Sequence, residues 1–225
     1  MSKITSEIEG CSGTGALTRS SFLGIISCLP FSCGERGKHF VLVHGACHGA
    51  WCWYKVATLL RSSGHNVTTI DLAASGINPI QASSLLSISD YFKPLRDVME
   101  ERYPKKIAVA VFVIALMPGP ILNITMVYAE DWTLANTLMR PQRLFNDEDM
   151  TREITLSEQN YGSVRRVAVI SEDDKLIDKD FMLWMIERNP PDQVLEVKGS
   201  DHMVMMSKPM RLLALLQHIA NITHY

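Results

Sequence analysis

Residues 40–53 read FVLVHGACHGAWCW, and within them Gly45-Ala46-Cys47-His48-Gly49 fits the pattern G-x-S-x-G with cysteine in place of serine. A strand feeding a sharp glycine turn that opens a helix is where an activated nucleophile is held, so Cys47 is one candidate. The same turn can aim backbone N–H groups, that of Ala46 and its neighbours, at an anion or a developing oxyanion. A third reading groups His44, Cys47, His48 and Cys52 as zinc-like ligands, although their spacing matches no C-x-x-C or H-E-x-x-H scheme. The plainest reading makes Cys47 and Cys52 small buried hydrophobes beside tryptophans.

A second candidate site joins SEDDK at 171–175 to KGSDHM at 198–203. Each follows a Val-rich run, so carboxylate and imidazole fall at the carboxyl ends of neighbouring parallel strands, where open α/β sheets bind ligands. An Asp that fixes the tautomer of a His is the orienting pair of a hydrolase triad. The alternative is that the acids only cap helices and His202 is a surface loop residue.

The elements that must position these groups alternate from Lys38 onward. Short Val/Ile-rich runs at 39–44, 66–71, 107–116, 164–171 and 193–198 are expected strands, bounded by Gly, Asp or Pro. Between them, helices are expected at 51–62, 90–102 and 178–188, with a last helix capped by Ser207 and a less regular one near 130–139. This alternation predicts a mostly parallel sheet with helices on both faces. The chain has 225 residues, 47% of them hydrophobic, which suits one α/β domain.

A net charge of -2 without a basic run favours neither nucleic acid nor an anionic membrane surface, leaving a small molecule as the expected partner. The apolar run at 107–117 is far short of the ~18–20 residues that a membrane-spanning helix needs. Five cysteines, an odd number, fit a reduced compartment, and a cytoplasmic location is expected. Residues 1–37 are Ser-, Thr- and Gly-rich, without helical or strand periodicity until the apolar FLGIISCLPF at 22–31, and are expected to form an irregular, disordered leader. A plastid address is the lesser alternative, because Glu7, Glu9 and Glu35 are out of place in a transit peptide.

From about Lys38 to the C-terminus the chain resembles the plant methylesterase and hydroxynitrile lyase family of α/β-hydrolases. The resemblance rests on HFVLVHGACHGAWCWYKV, SGHNVTTIDLAASG, RYPKKI, AVFVIALMPG, YGSVRRV, the SEDDK segment and KGSDHM, in that order. It implies hydrolysis of methyl esters of small carboxylic acids such as salicylate, jasmonate and indole-acetate, with neither metal nor cofactor. It places the catalytic acid on Asp174, the catalytic base on His202 and an oxyanion donor on the backbone N–H of Ala46, with Cys47 left to packing.

One departure matters. The family places a strand, the elbow G-H-S-x-G-G and a helix after the segment that here reads PLRDVME, whereas this chain passes directly to ERYPKKI. No G-x-S-x-G occurs in the chain, and the lid is reduced to a remnant at about 118–160. Ser75 and Ser200 are the nearest substitutes, and neither occupies an elbow.

The expectation is therefore an incomplete α/β-hydrolase fold over 38–225 with a shortened lid, catalytically inactive for want of the serine. The alternatives are a weak residual carboxylesterase or hydroxynitrile-lyase-like enzyme, and a non-catalytic protein that binds the ester or free acid. Because the lost strand is central in the family, the sheet is expected either to gap at twice the ~4.8 Å strand spacing or to pair the strands of Val41 and Val111 directly.

Overall fold

The computed structural model describes residues 24–28, 37–102, 107–114, 140, 145, 164–175, 177, 179–188 and 190–222. Their strands are β1 (Gly24–Cys28), β2 (His39–Val43), β3 (Asn66–Ile70), β4 (Ile107–Val113), β5 (Arg165–Ser171) and β6 (Gln193–Val197), in the sheet order β3-β2-β1-β4-β5-β6. The pairs β2/β3, β4/β5 and β5/β6 are parallel, while β1 is antiparallel to both β2 and β4.

β1 corrects two expectations. Residues 24–28, assigned to the irregular leader, form a sheet strand. The sheet neither gaps nor joins β2 to β4, because β1 lies between them, with Ile26 opposite both Val41 and Ala110. The physical reason is that two facing strand edges without partners would leave backbone groups unsatisfied in an apolar interior, and any compatible extended segment relieves that cost.

Side chains alternate along the strands as a two-residue period requires. Phe40 and Leu42 face a core with Trp53, Leu60, Val167 and Leu216, while Val41 and Val43 face a second core with Leu72, Leu85, Tyr91 and Leu95. Both faces are covered, as the near-continuous apolar runs of parallel strands demand.

The helices are α1 (Tyr54–Ser62), α2 (Ile88–Arg102), α3 (Lys179–Arg188), α4 (Val204–Ser207) and α5 (Pro209–Ile222). A 3₁₀ turn at Ala50–Trp53 leads into α1, so the helix expected from residue 51 starts tighter than an α-helix. Helix α2 begins two residues before the expected start, because Ser87 Oγ accepts from Asp90 N at 3.1 Å while Asp90 Oδ2 accepts from Ser87 N at 3.0 Å. That reciprocal pair is a capping box.

Ser207 does not cap the last helix. It ends α4 and donates to Asp201 Oδ1 at 2.7 Å, and Pro209, lacking an N–H, takes the first helical position of α5. The helix expected at 130–139 lies outside the described residues, as does the 118–160 lid remnant apart from Arg140 and Phe145.

Candidate functional site

β2, β3, β5 and β6 all run in one direction, so the loops that leave them meet at one edge of the sheet. The glycine turn after β2 is closed by His48 N donating to Gly45 O at 3.3 Å, with Cys47 at φ 62°. A left-handed residue at the third position of such a turn is where glycine is at ease and a Cβ is strained.

This strain makes a prediction. Cys47→Gly should leave stability within about 0.5 kcal/mol of the parent, since relief of ~1 kcal/mol is offset by glycine's greater backbone entropy. Cys47→Val should cost about 1–2 kcal/mol, because a β-branched residue suits that conformation least. Paired thermal melts check the ranking, and equal losses in both variants would refute it.

His48 donates from Nδ1 to the Ala46 carbonyl at 2.6 Å and stacks on Trp51, with ring centroids 5.4 Å apart. Its pKa is pushed down to about 4, chiefly by burial, against the upward pull of that carbonyl and with a further push from nearby His44 and His202. The glycine turn therefore lies close to the second candidate site. His44 accepts from Leu72 N through Nε2 at 3.0 Å, so Nδ1 carries the proton and donates to Gly45 O at 2.7 Å. Burial holds it neutral.

With both His44 ring nitrogens engaged and Cys52 fully buried in the core, the zinc-like grouping is not assembled. Among the described residues no cluster of three or more His, Cys, Asp or Glu could hold a metal ion. Cys52 matches the small-hydrophobe reading, and burial raises its thiol pKa well above the usual range. Cys47 is only half-buried, and its carbonyl accepts from Arg140 N at 3.2 Å.

Asp71, at the end of β3, ties the turn to the next loop. Its carboxylate accepts from Ala50 N at 2.6 Å and from Ile77 N at 3.2 Å. A Cβ on Gly49 would come within 2.8 Å of the same carboxylate and within 2.7 Å of the Gly76 backbone. The sequence shows Asp71 within its strand–loop motif but gives no sign of this role, because its partners are backbone amides from two loops. Arg140 was equally hidden: its guanidinium donates to the carbonyls of Gly76, Asn78 and Ile80, the last at 2.8 Å.

The loops after β5 and β6 carry Asp174 and His202. His202 Nδ1 lies 2.9 Å from Asp174 Oδ2, with the two side chains 12% and 5% exposed. Asp174 Oδ1 accepts from Ile177 N at 3.0 Å, so the carboxylate is held from both sides. Asp173 points its backbone instead, donating from N to Ser200 O at 2.9 Å. Buried Ser171 and Ser200 meet at 2.6 Å between their hydroxyls, stitching the two loops together.

A carboxylate on Nδ1 orients the imidazole and leaves Nε2 as the nitrogen that can serve as general base or acid. Among the described residues, no serine or cysteine is hydrogen-bonded to His202. Ser75 is buried, hydrogen-bonds the Tyr91 hydroxyl and lies 3.4 Å from the Ala73 carbonyl, and Ser200 donates to Val197 O.

No family model matches the chain. Individual relatives do. Methyl jasmonate esterase 1 of Vitis vinifera is 41% identical, over 82% of this chain and 97% of its own length. Salicylic acid-binding protein 2 of Nicotiana tabacum is 33% identical, over 83% of this chain and 98% of its own.

Among solved structures, tomato methylketone synthase I complexed with 2-tridecanone is 38% identical with a TM-score of 0.75, covering 84% of this chain and 99% of that one. Polyneuridine aldehyde esterase is 32% identical with a TM-score of 0.73, covering 82% and 100%. Identity at this level, with alignments that span almost the full length of the relatives and TM-scores of 0.73 and 0.75, shows that the chain belongs to the plant methylesterase family of α/β-hydrolases.

Proposed function

We propose that this protein retains the acid–base half of the methylesterase machinery and has lost serine-dependent hydrolysis of methyl esters. The observation that carries the reading is the Asp174–His202 pair at 2.9 Å, with no serine or cysteine among the described residues bonded to its imidazole. The absence of G-x-S-x-G from the whole sequence supports it. So does alignment length: 254 aligned positions drawing on 82% of a 225-residue chain leave roughly 70 positions of the relative without a counterpart here.

Without the elbow, the family's covalent acyl step has no attacking oxygen, and one of the two oxyanion N–H groups goes with it. Removing a triad serine alone lowers turnover on the order of 10⁶-fold in a well-studied serine protease.

Accordingly, p-nitrophenyl acetate and the methyl esters of salicylate, jasmonate and indole-acetate should be hydrolysed at the same near-background rate by the parent, Cys47→Ala and His202→Ala. Parent turnover well above background that vanishes in either variant would overturn the inactive reading. Loss with Cys47→Ala would identify the thiol as a replacement nucleophile.

One observation favours a second reading. Tomato methylketone synthase I has been captured with 2-tridecanone, and a histidine variant of it with beta-ketoheptanoate. Loss of CO₂ from a 3-oxo acid needs no nucleophile: the C–C bond to the carboxylate breaks and its electron pair moves onto the ketone as an enolate. A proton from an imidazolium then completes the methyl ketone. On this reading His202 supplies the proton and the Ala46 N–H holds the enolate oxygen. Ketone formation from 3-oxo acids, abolished in His202→Ala with the fold intact, is the expected result on this reading.

A further inference from the structure

β1 stands between two half-sheets that carry different parts of the site. β3 and β2 lead into the turn holding Ala46, whereas β4, β5 and β6 support the loops of Asp174 and His202. Every residue from Gly24 to Cys28 is paired to β2, and the strand is paired along its length to β4 as well, with one irregularity at Ser27/Cys28. The walls are dry: Val41 and Val43 are fully buried, and Val109, Val111 and Val113 are at most 2% exposed. Water cannot serve the amides and carbonyls that line this slot, so a strand must.

The occupant's sequence, GIISC, is uncharged and carries two isoleucines, a residue type enriched in strands. Elsewhere the halves are joined by α1 against α4 and α5, including Lys55 Nζ donating to Met206 O at 3.0 Å, but among the described residues no other strand spans them.

We propose that the space between β2 and β4 is a strand-binding site whose ligand is the chain's own leader segment, and that its occupancy aligns the Ala46 half with the Asp174–His202 half. Recognition is by β-augmentation on both edges at once: main-chain hydrogen bonds supply the attraction, and the apolar walls select an uncharged extended segment. This holds whether or not ester hydrolysis is retained, so it can fail independently of the functional reading.

Hydrogen exchange on the full-length protein is the test. In the parent, the amides of β2 and β4 that face β1 should exchange within about tenfold of the slow amides of β5, as members of one cooperative unit. Fast exchange there in a folded parent would overturn the proposal without any variant. Protection seen only in a dimer and lost on dilution would overturn the intrachain assignment.

Ile26→Pro removes a ladder donor and restrains φ. It should speed exchange at those amides by about 100-fold or more, while Ser6→Pro leaves them unchanged. A synthetic peptide of residues 21–31 added in excess to Ile26→Pro should restore slow exchange and raise the melting midpoint in proportion to its concentration. An Ile26→Pro protein that melts and exchanges like the parent, or a peptide without effect on it, would refute the slot.

Discussion

Lowering the pH from about 7.5 to about 4 is expected to remove roughly 3 kcal/mol of folding stability through His48 alone. Burial holds its folded pKa at about 4, against 6.5 for the unexposed-to-structure reference state of the unfolded chain. Between those values the unfolded chain takes up a proton that the folded protein refuses, so stability falls as pH falls. The loss begins near the unfolded pKa and levels off below the folded one.

At 1.36 kcal/mol per pH unit, a 2.5-unit separation gives the ~3 kcal/mol quoted. His44, also lowered by burial, adds a loss of the same sign. Urea midpoints of the parent and His48→Gln, measured over this range, isolate the contribution, since glutamine keeps a donor for the Ala46 carbonyl and does not titrate. Their stability difference should shift in favour of the variant as pH falls. A difference independent of pH would show that His48 is not held neutral by burial.

Gly76→Ala should be the most damaging methyl addition in the site, costing about 3 kcal/mol. Gly76 has φ 51°, and its added Cβ would fall 2.0 Å from Asp71 Oδ1. The carboxylate cannot simply step aside, because the same group accepts from Ala50 N and Ile77 N. Relief of the clash releases the glycine turn from β3.

Gly64→Ala is the matched control. It shares a positive φ of 85° but has open space around the new methyl, so only the backbone strain of ~1 kcal/mol applies. Thermal melts of the pair should separate them by about 2 kcal/mol; equal losses would mean that Asp71 yields and is no structural knot.

The parallel strands were legible because Val/Ile runs bounded by Gly and Asp carry their signal locally, and the starts of β2, β3 and β6 fall on the expected residues. The Asp174–His202 contact was anticipated from family motifs, with composition and periodicity giving only the sheet edge. β1 was not legible. GIISC has no more strand character than other short apolar stretches, and what recruits it is the pair of open edges on β2 and β4, residues far along the chain. The start of α2 was misjudged for a smaller reason: Ser87 and Asp90 satisfy one another's amides, so the cap lies one turn before the first acidic residue. Asp71 and Arg140 act on backbone groups, which leave no side-chain pattern to read.

The polarity of β1 also decides what can follow it at each edge of the sheet. Because it runs against its neighbours, Gly24 rather than Cys28 lies level with Val43 and Phe112, at the edge where Ala46 and His202 gather. Cys28 is paired with His39 and Ile107, about 13 Å away along the strand. A serine placed directly after this strand would emerge at the opposite edge of the sheet. On the proposed reading, a strand that carried an elbow at this edge would have to run the other way, whereas β1 closes the sheet with its chain leaving at the opposite edge.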